Sequence, residues 1–141
     1  MIWKHTPSIE QMNEFSKNTL GENLGMLFTE VGDDYIKATM PVDQRTKQPF
    51  GLLHGGASVA LAETLGSVAS QYCIEKPGAY YGVGLEINAN HLRSASSGLV
   101  TGIVKPIRIG NSVHVWNIEI SDEKGRMVCI SRITVSIIKS R

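Results

Sequence analysis

The stretch Gln48–Ser70 reads QPFGLLHGGASVALAETLGSVAS, and its reading decides the fold. From about Gly55 to Cys73 the chain is built almost entirely of Gly, Ala, Ser and aliphatic residues, so it is expected to form a long helix. That helix opens with Gly55 and Gly56 directly after His54 and carries a single charge, Glu63. Because desolvating a carboxylate costs about several kcal/mol, a lone glutamate in an apolar, buried helix calls for a functional explanation.

Outward from this helix, the chain punctuates itself clearly. Ser8-Ile9-Glu10-Gln11 fits a capping box, with Ser8 capping and Gln11 reaching back. It predicts a short helix that stops near Gly21, with Met12 and Phe15 on one side. Leu24–Val31 and Tyr35–Pro41 read as strands joined by Gly32-Asp33-Asp34. Val42–Phe50 reads as a polar loop. Beyond the helix, Glu75-Lys76-Pro77-Gly78 is a break and the hydrophobic period becomes two. Tyr81, Val83, Leu85 and Ile87 are expected on one face of a strand, with Gly82, Gly84, Glu86 and Asn88 on the other. Ser94–Gly98 reads as a loop. Leu99–Ile109, Val113–Ile120 and Met127–Ile138 read as three further strands, joined by hairpin turns at Gly110-Asn111 and Asp122–Gly125. Pro106 predicts an edge or a bulge. Helix, two strands, long helix and four strands make an α+β pattern with an antiparallel sheet. One long apolar helix then requires that sheet to wrap around it.

The bulk properties narrow the function classes. At 141 residues the expectation is one domain, residues 1–141. Fourteen basic against thirteen acidic residues leave a net charge of +1, which supports neither nucleic acid nor a membrane surface as partner. The apolar run is not read as a membrane span, because it contains His54 and Glu63 and its Gly, Ala and Ser are weakly hydrophobic. The Met1–His5 start has no apolar signal core, so a cytoplasmic location is expected. Cys73 and Cys129 form no metal pattern and read as buried free thiols. His5, His54, His91 and His114 lack metal-ligand spacing, so no metal is expected. His5 and His114 read as structural or surface histidines.

Familiar catalytic motifs are absent. Gly82-Val83-Gly84 lacks the third glycine of a dinucleotide fingerprint, and no P-loop, G-x-S-x-G elbow or H-E-x-x-H is present. What remains is His54-Gly55-Gly56 followed by Glu63. A helix N-terminus offers unpaired N–H donors that can hold an oxyanion. Glu63 can act as general base or nucleophile. Gln48 can add an amide donor, and Ser67 can orient water or substrate. Gly55 and Glu63 are eight residues apart, or about 12 Å along a helix. The two can serve one reacting atom only if the glutamate comes from a second copy of the chain. Gly56, Val59, Ala60, Glu63, Gly66 and Ser67 share a face on which two antiparallel helices would cross near Val59. The competing structural reading is tight packing by the small residues, with Glu63 paired to Arg45 or Lys47.

The run Ala38–Asp43, Arg45–Gly56 with Glu63, and the later run Gly84–Ala95, strongly resemble the hotdog-fold acyl-CoA thioesterases of the phenylacetate-degradation type. The likeness is strongest to the bacterial aryl-CoA thioesterases, which include members serving menaquinone synthesis and enterobactin proofreading. It covers essentially the whole chain. The resemblance implies a sheet wrapped around the central helix and a homotetramer built as a dimer of dimers, with sites at subunit interfaces. It implies that Glu63 is the nucleophile or general base, and that the Gly55 amide, His54 and Gln48 polarise a thioester carbonyl across the interface. Ser67 and Val68 would line the acyl pocket. Coenzyme A, part of the substrate rather than a cofactor, would bind Gly84, the run His91, Leu92, Arg93 and Ser94, and the turn Arg108, Ile109, Gly110, Asn111, Ser112 and Val113. The cations suit phosphates, and the turn supplies N–H groups. A carrier-protein thioester is an alternative substrate. A hydratase or dehydratase on the same fold and a non-catalytic acyl-CoA-binding protein are alternative functions, separable from hydrolysis by thiol release.

Overall fold

The computed structural model describes residues 1–141. Two short helices, α1 (Ile9–Phe15) and α2 (Leu20–Asn23), precede strands β1 (Leu27–Val31) and β2 (Ile36–Pro41). The long helix α3 (Gly55–Tyr72) follows, and then strands β3 (Tyr80–His91), β4 (Leu99–Ile109), β5 (Val113–Ser121) and β6 (Met127–Lys139). All six strands form one sheet in the order β1-β2-β4-β5-β6-β3, and every neighbouring pair is antiparallel. The expected α+β architecture is present, with α3 packed on one face of the sheet.

α3 buries Ala57, Ser58, Leu61, Ala62, Leu65, Gly66, Ala69 and Ser70, a stripe at the three-and-four spacing of one helix face. It lies unusually close to the sheet. A methyl group added at Gly66 would stand 2.5 Å from Ile133, and one added to Gly102 of β4 would stand 2.7 Å from Leu65. Leu61, Leu65, Ile118, Ile120, Ile133 and Trp116 are fully buried there, each contributing about 1.5–3 kcal/mol. At the C-terminal end of α3, the Lys4 and His5 amides donate to the Tyr72 carbonyl, and a His5 ring nitrogen lies 3.0 Å from the Ile74 carbonyl. Trp3 anchors this N-terminal arm by stacking on Trp116 at 6.5 Å between ring centres and donating to the Gly32 carbonyl.

Four expectations need correction. The first helix does not run to Gly21: it stops at Phe15, and Asn18 adopts a left-handed conformation (φ 61°) before α2 begins. Ser8 caps the Gln11 amide, but the Gln11 side chain accepts from the Tyr72 hydroxyl instead of reaching back. The first strand begins at Leu27, because Leu24 still closes α2. The alternation of β3 does not persist: the register shifts between Gly84 and Glu86, so Leu85 is a bulge. Gly82 and Gly84 face α3 before it, while Ile87 and Ala89 pack on the core after it. Pro106 likewise adjoins a bulge, where β4 runs past the end of its pairing with β2.

Ser70, on the buried face of α3, joins helix to sheet. Trp116 Nε1 donates to Ser70 Oγ at 2.7 Å, and His114 Nδ1 lies 3.1 Å from the same oxygen. Burial holds the His114 pKa below its ordinary value, against a smaller opposite effect of the Gly110 carbonyl. Native His114 therefore resists protonation, and the stability this contributes is present above about pH 6.5 and is lost as pH falls through its depressed pKa. Cys73 and Cys129 are buried and free, and burial raises the Cys73 thiol to about 11. Ser70→Ala leaves two buried ring nitrogens short of a partner. Urea unfolding is expected to show a loss of about 2–4 kcal/mol, and both thiols are expected to resist alkylation at pH 8 until the chain unfolds.

Candidate active site

His54 ends the loop before α3 and caps it with its own ring: the Gly56 amide donates to His54 Nδ1 at 2.8 Å. In the neutral ring the proton then sits on Nε2, free to donate. The Ala57 and Ser58 amides are taken up by the His54 carbonyl. The Gly55 N–H has no acceptor in the chain and stands at the positive end of an 18-residue helix. It is a ready donor for an oxyanion.

β3 brings His91 to this amide. A methyl group added at Gly55 would lie 2.8 Å from His91 Nε2, so only glycine admits the imidazole so close. Gln48 belongs to the same cleft, of about 430 Å3, together with Gly55, Ser58, His91, Leu92, Arg93 and Ser94. The Phe50 amide donates to Gln48 Oε1 at 2.5 Å, which orients the side chain and leaves its NH2 group free. His54 lies outside that cleft, in a neighbouring hollow with Arg45, Lys47 and Gly56.

Glu63 is elsewhere. It is exposed in the single chain, which corrects the expectation of a buried carboxylate: the burial argument does not apply within one subunit. It forms no salt bridge, and Arg45 is engaged with Asp43, so the structural reading of Glu63 as an ion-pair partner fails too. Its carboxylate lies beside β3, where a methyl group added at Gly84 would come within 3.0 Å of Glu63 Oε2. Gly84, expected as a coenzyme A contact, thus makes room for the carboxylate. Glu63, Ser67 and Val68 line a cleft of about 600 Å3 with Ser16, Thr19, Leu20, Gly21, Gly56, Val59, Ala60 and Thr64. Neither Gln48, Gly55 nor His91 reaches it. Gly66 does not share the Glu63 face as expected: it is turned onto Ile133 in the sheet.

The segments expected to hold coenzyme A fall at opposite ends of α3. His91–Ser94 lie at its N-terminus. Ile109, Gly110 and Asn111 lie with Cys73, Ile74 and Lys76 beyond its C-terminus. Arg108 and Ser112 are exposed in the same turn, and Val113 is half-buried. The chain does not gather these groups into one groove. No group of three His, Cys, Asp or Glu side chains is placed to hold a metal, and no helix is long and apolar enough to cross a membrane. Sequence reasoning missed Ser16, Thr19, Leu20 and Thr64. Thr64 was within reach of it, since Ala60, Thr64 and Val68 recur every four residues. The other three enter only by tertiary packing.

Residues 50–129, which carry Gly55, Glu63 and His91, match the family model described as Thioesterase superfamily. The chain belongs to the thioesterase superfamily, and it is a thioester hydrolase. It is 54% identical over 138 residues to the 1,4-dihydroxy-2-naphthoyl-CoA hydrolase of Escherichia coli, covering 98% of this chain and 100% of that one. It is 50% identical to the proofreading thioesterase EntH of Cronobacter sakazakii, covering 98% and 99%. The crystal structure of a thioesterase from Haemophilus influenzae superimposes with a TM-score of 0.95 at 49% identity, covering 99% of this chain and 96% of that one. The fold is therefore the hotdog fold.

The position of Gly84 can be tested on this hydrolase. Gly84→Ala crowds only the far end of the exposed Glu63 side chain and meets Ile133 at an ordinary contact of 3.7 Å, so the melting temperature is expected to hold. Thioester hydrolysis is expected to fall about ten- to a hundredfold as the carboxylate is displaced.

Proposed function

We propose that this thioesterase hydrolyses aromatic acyl-CoA thioesters to the free acid and coenzyme A, at sites shared between two copies of the chain. The observation that carries the reading is the separation of the two half-sites. Gln48, Gly55 and His91 converge on one cleft, while Glu63, Ser67 and Val68 line another.

A second copy supplies the missing half by a simple operation. β3 is an edge strand bonded only to β6. It is twelve residues long, and Tyr81, Val83 and Leu85 are exposed on it. A long apolar edge of this kind invites pairing with another chain. Along β3, Gly84 marks the position of Glu63 and His91 marks that of Gly55. An antiparallel β3–β3 pairing about a two-fold axis near Ile87–Asn88 exchanges those two positions. Each Glu63 would then face the Gly55 end of the other copy, giving two equivalent sites.

In such a site the Gly55 amide and the Gln48 NH2 group polarise the thioester carbonyl, with His91 beside them, while His54 contributes by capping the helix start through the Gly56 amide. Glu63 acts on the carbonyl carbon, either directly as nucleophile or through a water whose proton it takes. The tetrahedral oxyanion is held by the amide donors, and its collapse breaks the C–S bond and expels the coenzyme A thiolate, which is then protonated; in the nucleophilic route the acyl group stays on Glu63 as an anhydride, which a water then hydrolyses to the free acid and the regenerated carboxylate. Arg93 and Arg108 supply charge for the phosphates, and the turn Ile109–Val113 supplies N–H groups. Because His91–Ser94 and that turn lie at opposite ends of α3, a single coenzyme A touching both would span subunits, as in a dimer of dimers. The aromatic acyl group, and with it a place in menaquinone synthesis, is suggested by the naphthoyl-CoA hydrolase relative. No bound cofactor is required by this chemistry.

Thiol release from benzoyl-CoA is expected to drop about a hundred- to ten-thousandfold in Glu63→Gln with folding intact. Gln48→Ala is expected to be impaired as well. Mixing the two variants under subunit exchange should restore activity to about a quarter of wild type, since half the dimers would carry one intact site of two. A site contained in one chain would show no restoration. Comparing aryl-CoA, fatty acyl-CoA and aryl carrier-protein thioesters by kcat/KM then identifies the preferred substrate.

A further inference from the structure

We infer that His114, set between Ser70 of α3 and the turn Ile109–Val113, is a positioning residue for substrate binding. In its neutral form it holds the turn ready for the coenzyme A portion of the thioester, and on protonation it releases the turn. The inference rests on the reading of that turn as a coenzyme A contact and adds the buried group that controls it.

His114 is a titratable side chain, 2% exposed, that the hydrolysis itself does not use. Trp116 Nε1 is a donor only, and it gives its proton to Ser70 Oγ at 2.7 Å. Ser70 has one proton of its own, and His114 Nδ1 is the acceptor beside it at 3.1 Å. The imidazole proton then sits on Nε2, where the ring meets the Gly110 carbonyl. A directed chain of hydrogen bonds thus runs from Trp116 through Ser70 and His114 to Gly110, joining the buried face of α3 to the turn. The turn has few other anchors. The Gly110 amide donates to the Val113 carbonyl within it, and the Ile137 amide of β6 donates to Ser112, while Arg108, Ile109, Asn111 and Ser112 are exposed.

Protons reach the ring through a cavity of about 520 Å3 that His114 lines together with Lys4, Cys73, Lys76, Gly110 and Asn111. A second ring proton goes to Nδ1, where it meets the Ser70 proton head-on. The surrounding charges do not offset it. Lys4 and Lys76 are cationic, as is Arg108 beside Gly110, and Glu75 is paired with Lys4 at 3.4 Å. The other titratable groups facing the ring are the Cys73 thiol, raised to about 11 by burial, and Tyr80. Its neighbours on β5 and β6, Trp116, Val135 and Ile137, carry no charge. Burial accordingly lowers the His114 pKa, against the smaller opposite effect of the Gly110 carbonyl. An imidazole released to water returns towards about 6.5. The released arrangement therefore binds the proton more tightly, so the held turn is favoured above about pH 6.5 and is lost as pH falls through the depressed pKa.

The test follows thiol release from benzoyl-CoA and from S-benzoyl-N-acetylcysteamine, which lacks the nucleotide, in wild type and His114→Asn. In wild type, KM for benzoyl-CoA is expected to rise about three- to tenfold from about pH 7.5 to about pH 5.5, while KM for the truncated thioester stays level and kcat changes alike for both. His114→Asn keeps an acceptor for Ser70 but loses the titrating proton and the reach to Gly110. Its KM for benzoyl-CoA is expected to be raised about threefold or more already at about pH 7.5, and to rise less on acidification. The 3′-phosphate of coenzyme A titrates near about pH 6, and only that part of the change is expected to survive in the variant. Equal pH dependence of KM in wild type and variant, or an equal rise for both thioesters in wild type, overturns the role of His114. Benzoyl-dephospho-CoA, free of that phosphate, decides the matter from wild type alone if the variant does not fold: a level KM overturns the inference. Arg108→Ala checks the underlying reading separately. It is expected to raise KM for benzoyl-CoA alone, and an unchanged KM overturns the turn as a coenzyme A contact and the inference with it. No thiol release from any of these thioesters overturns the thioesterase reading and the inference together.

Discussion

α3 sits against the sheet at a distance that side chains larger than glycine would forbid. Gly66 admits Ile133 from below, and Gly102 admits Leu61 and Leu65 from above. Close packing of this kind leaves little freedom for sliding, because every interior atom already has neighbours at contact distance. The seat of the helix sets everything that follows. It turns Gly66 inward and Glu63 outward, and it places the N-terminus of α3 beside the end of β3. The buried Trp116–Ser70–His114 contact fixes the other half of the same helix.

The bulge at Leu85 completes the arrangement. A strand of unbroken alternation that turned Gly82 and Gly84 towards α3 would also turn Glu86 and Asn88 inward, and would send Ile87 and His91 out to solvent. One extra residue reverses the phase midway. Gly84 then accommodates Glu63, and, seven residues on, His91 reaches Gly55. The middle and the C-terminal end of β3 thus stand beside Glu63 and Gly55 respectively.

Much of this could be read before any coordinates. The small-residue composition of Gly55–Tyr72 marked the helix, and the period of two marked the strands from Leu99 onward to within a residue or so of their ends. Helix rise alone separated Glu63 from Gly55. Other features could not be read locally. The left-handed residue at Asn18 divides α1 from α2 without a glycine to announce it. The β3 bulge is hidden because Leu85 continues the apolar alternation that it interrupts. Gly66 looked like a member of the Glu63 face because helical spacing assigns faces only to within a residue's breadth, and sheet contacts decide on which side the boundary falls.

By itself, the sequence determined the α+β architecture, the central helix, the Gly55 and Glu63 pair and the impossibility of their meeting within one helix. These follow from short-range periodicity and from fixed backbone dimensions, which no packing arrangement alters. Tertiary structure alone decided that Glu63 is exposed, that His91 covers Gly55, that the two proposed coenzyme A segments lie apart, and that Ser16, Thr19 and Leu20 wall the cleft beside Glu63. Each of these depends on which residues distant in the chain come to lie side by side, and that is set by sheet order and by close packing of the core.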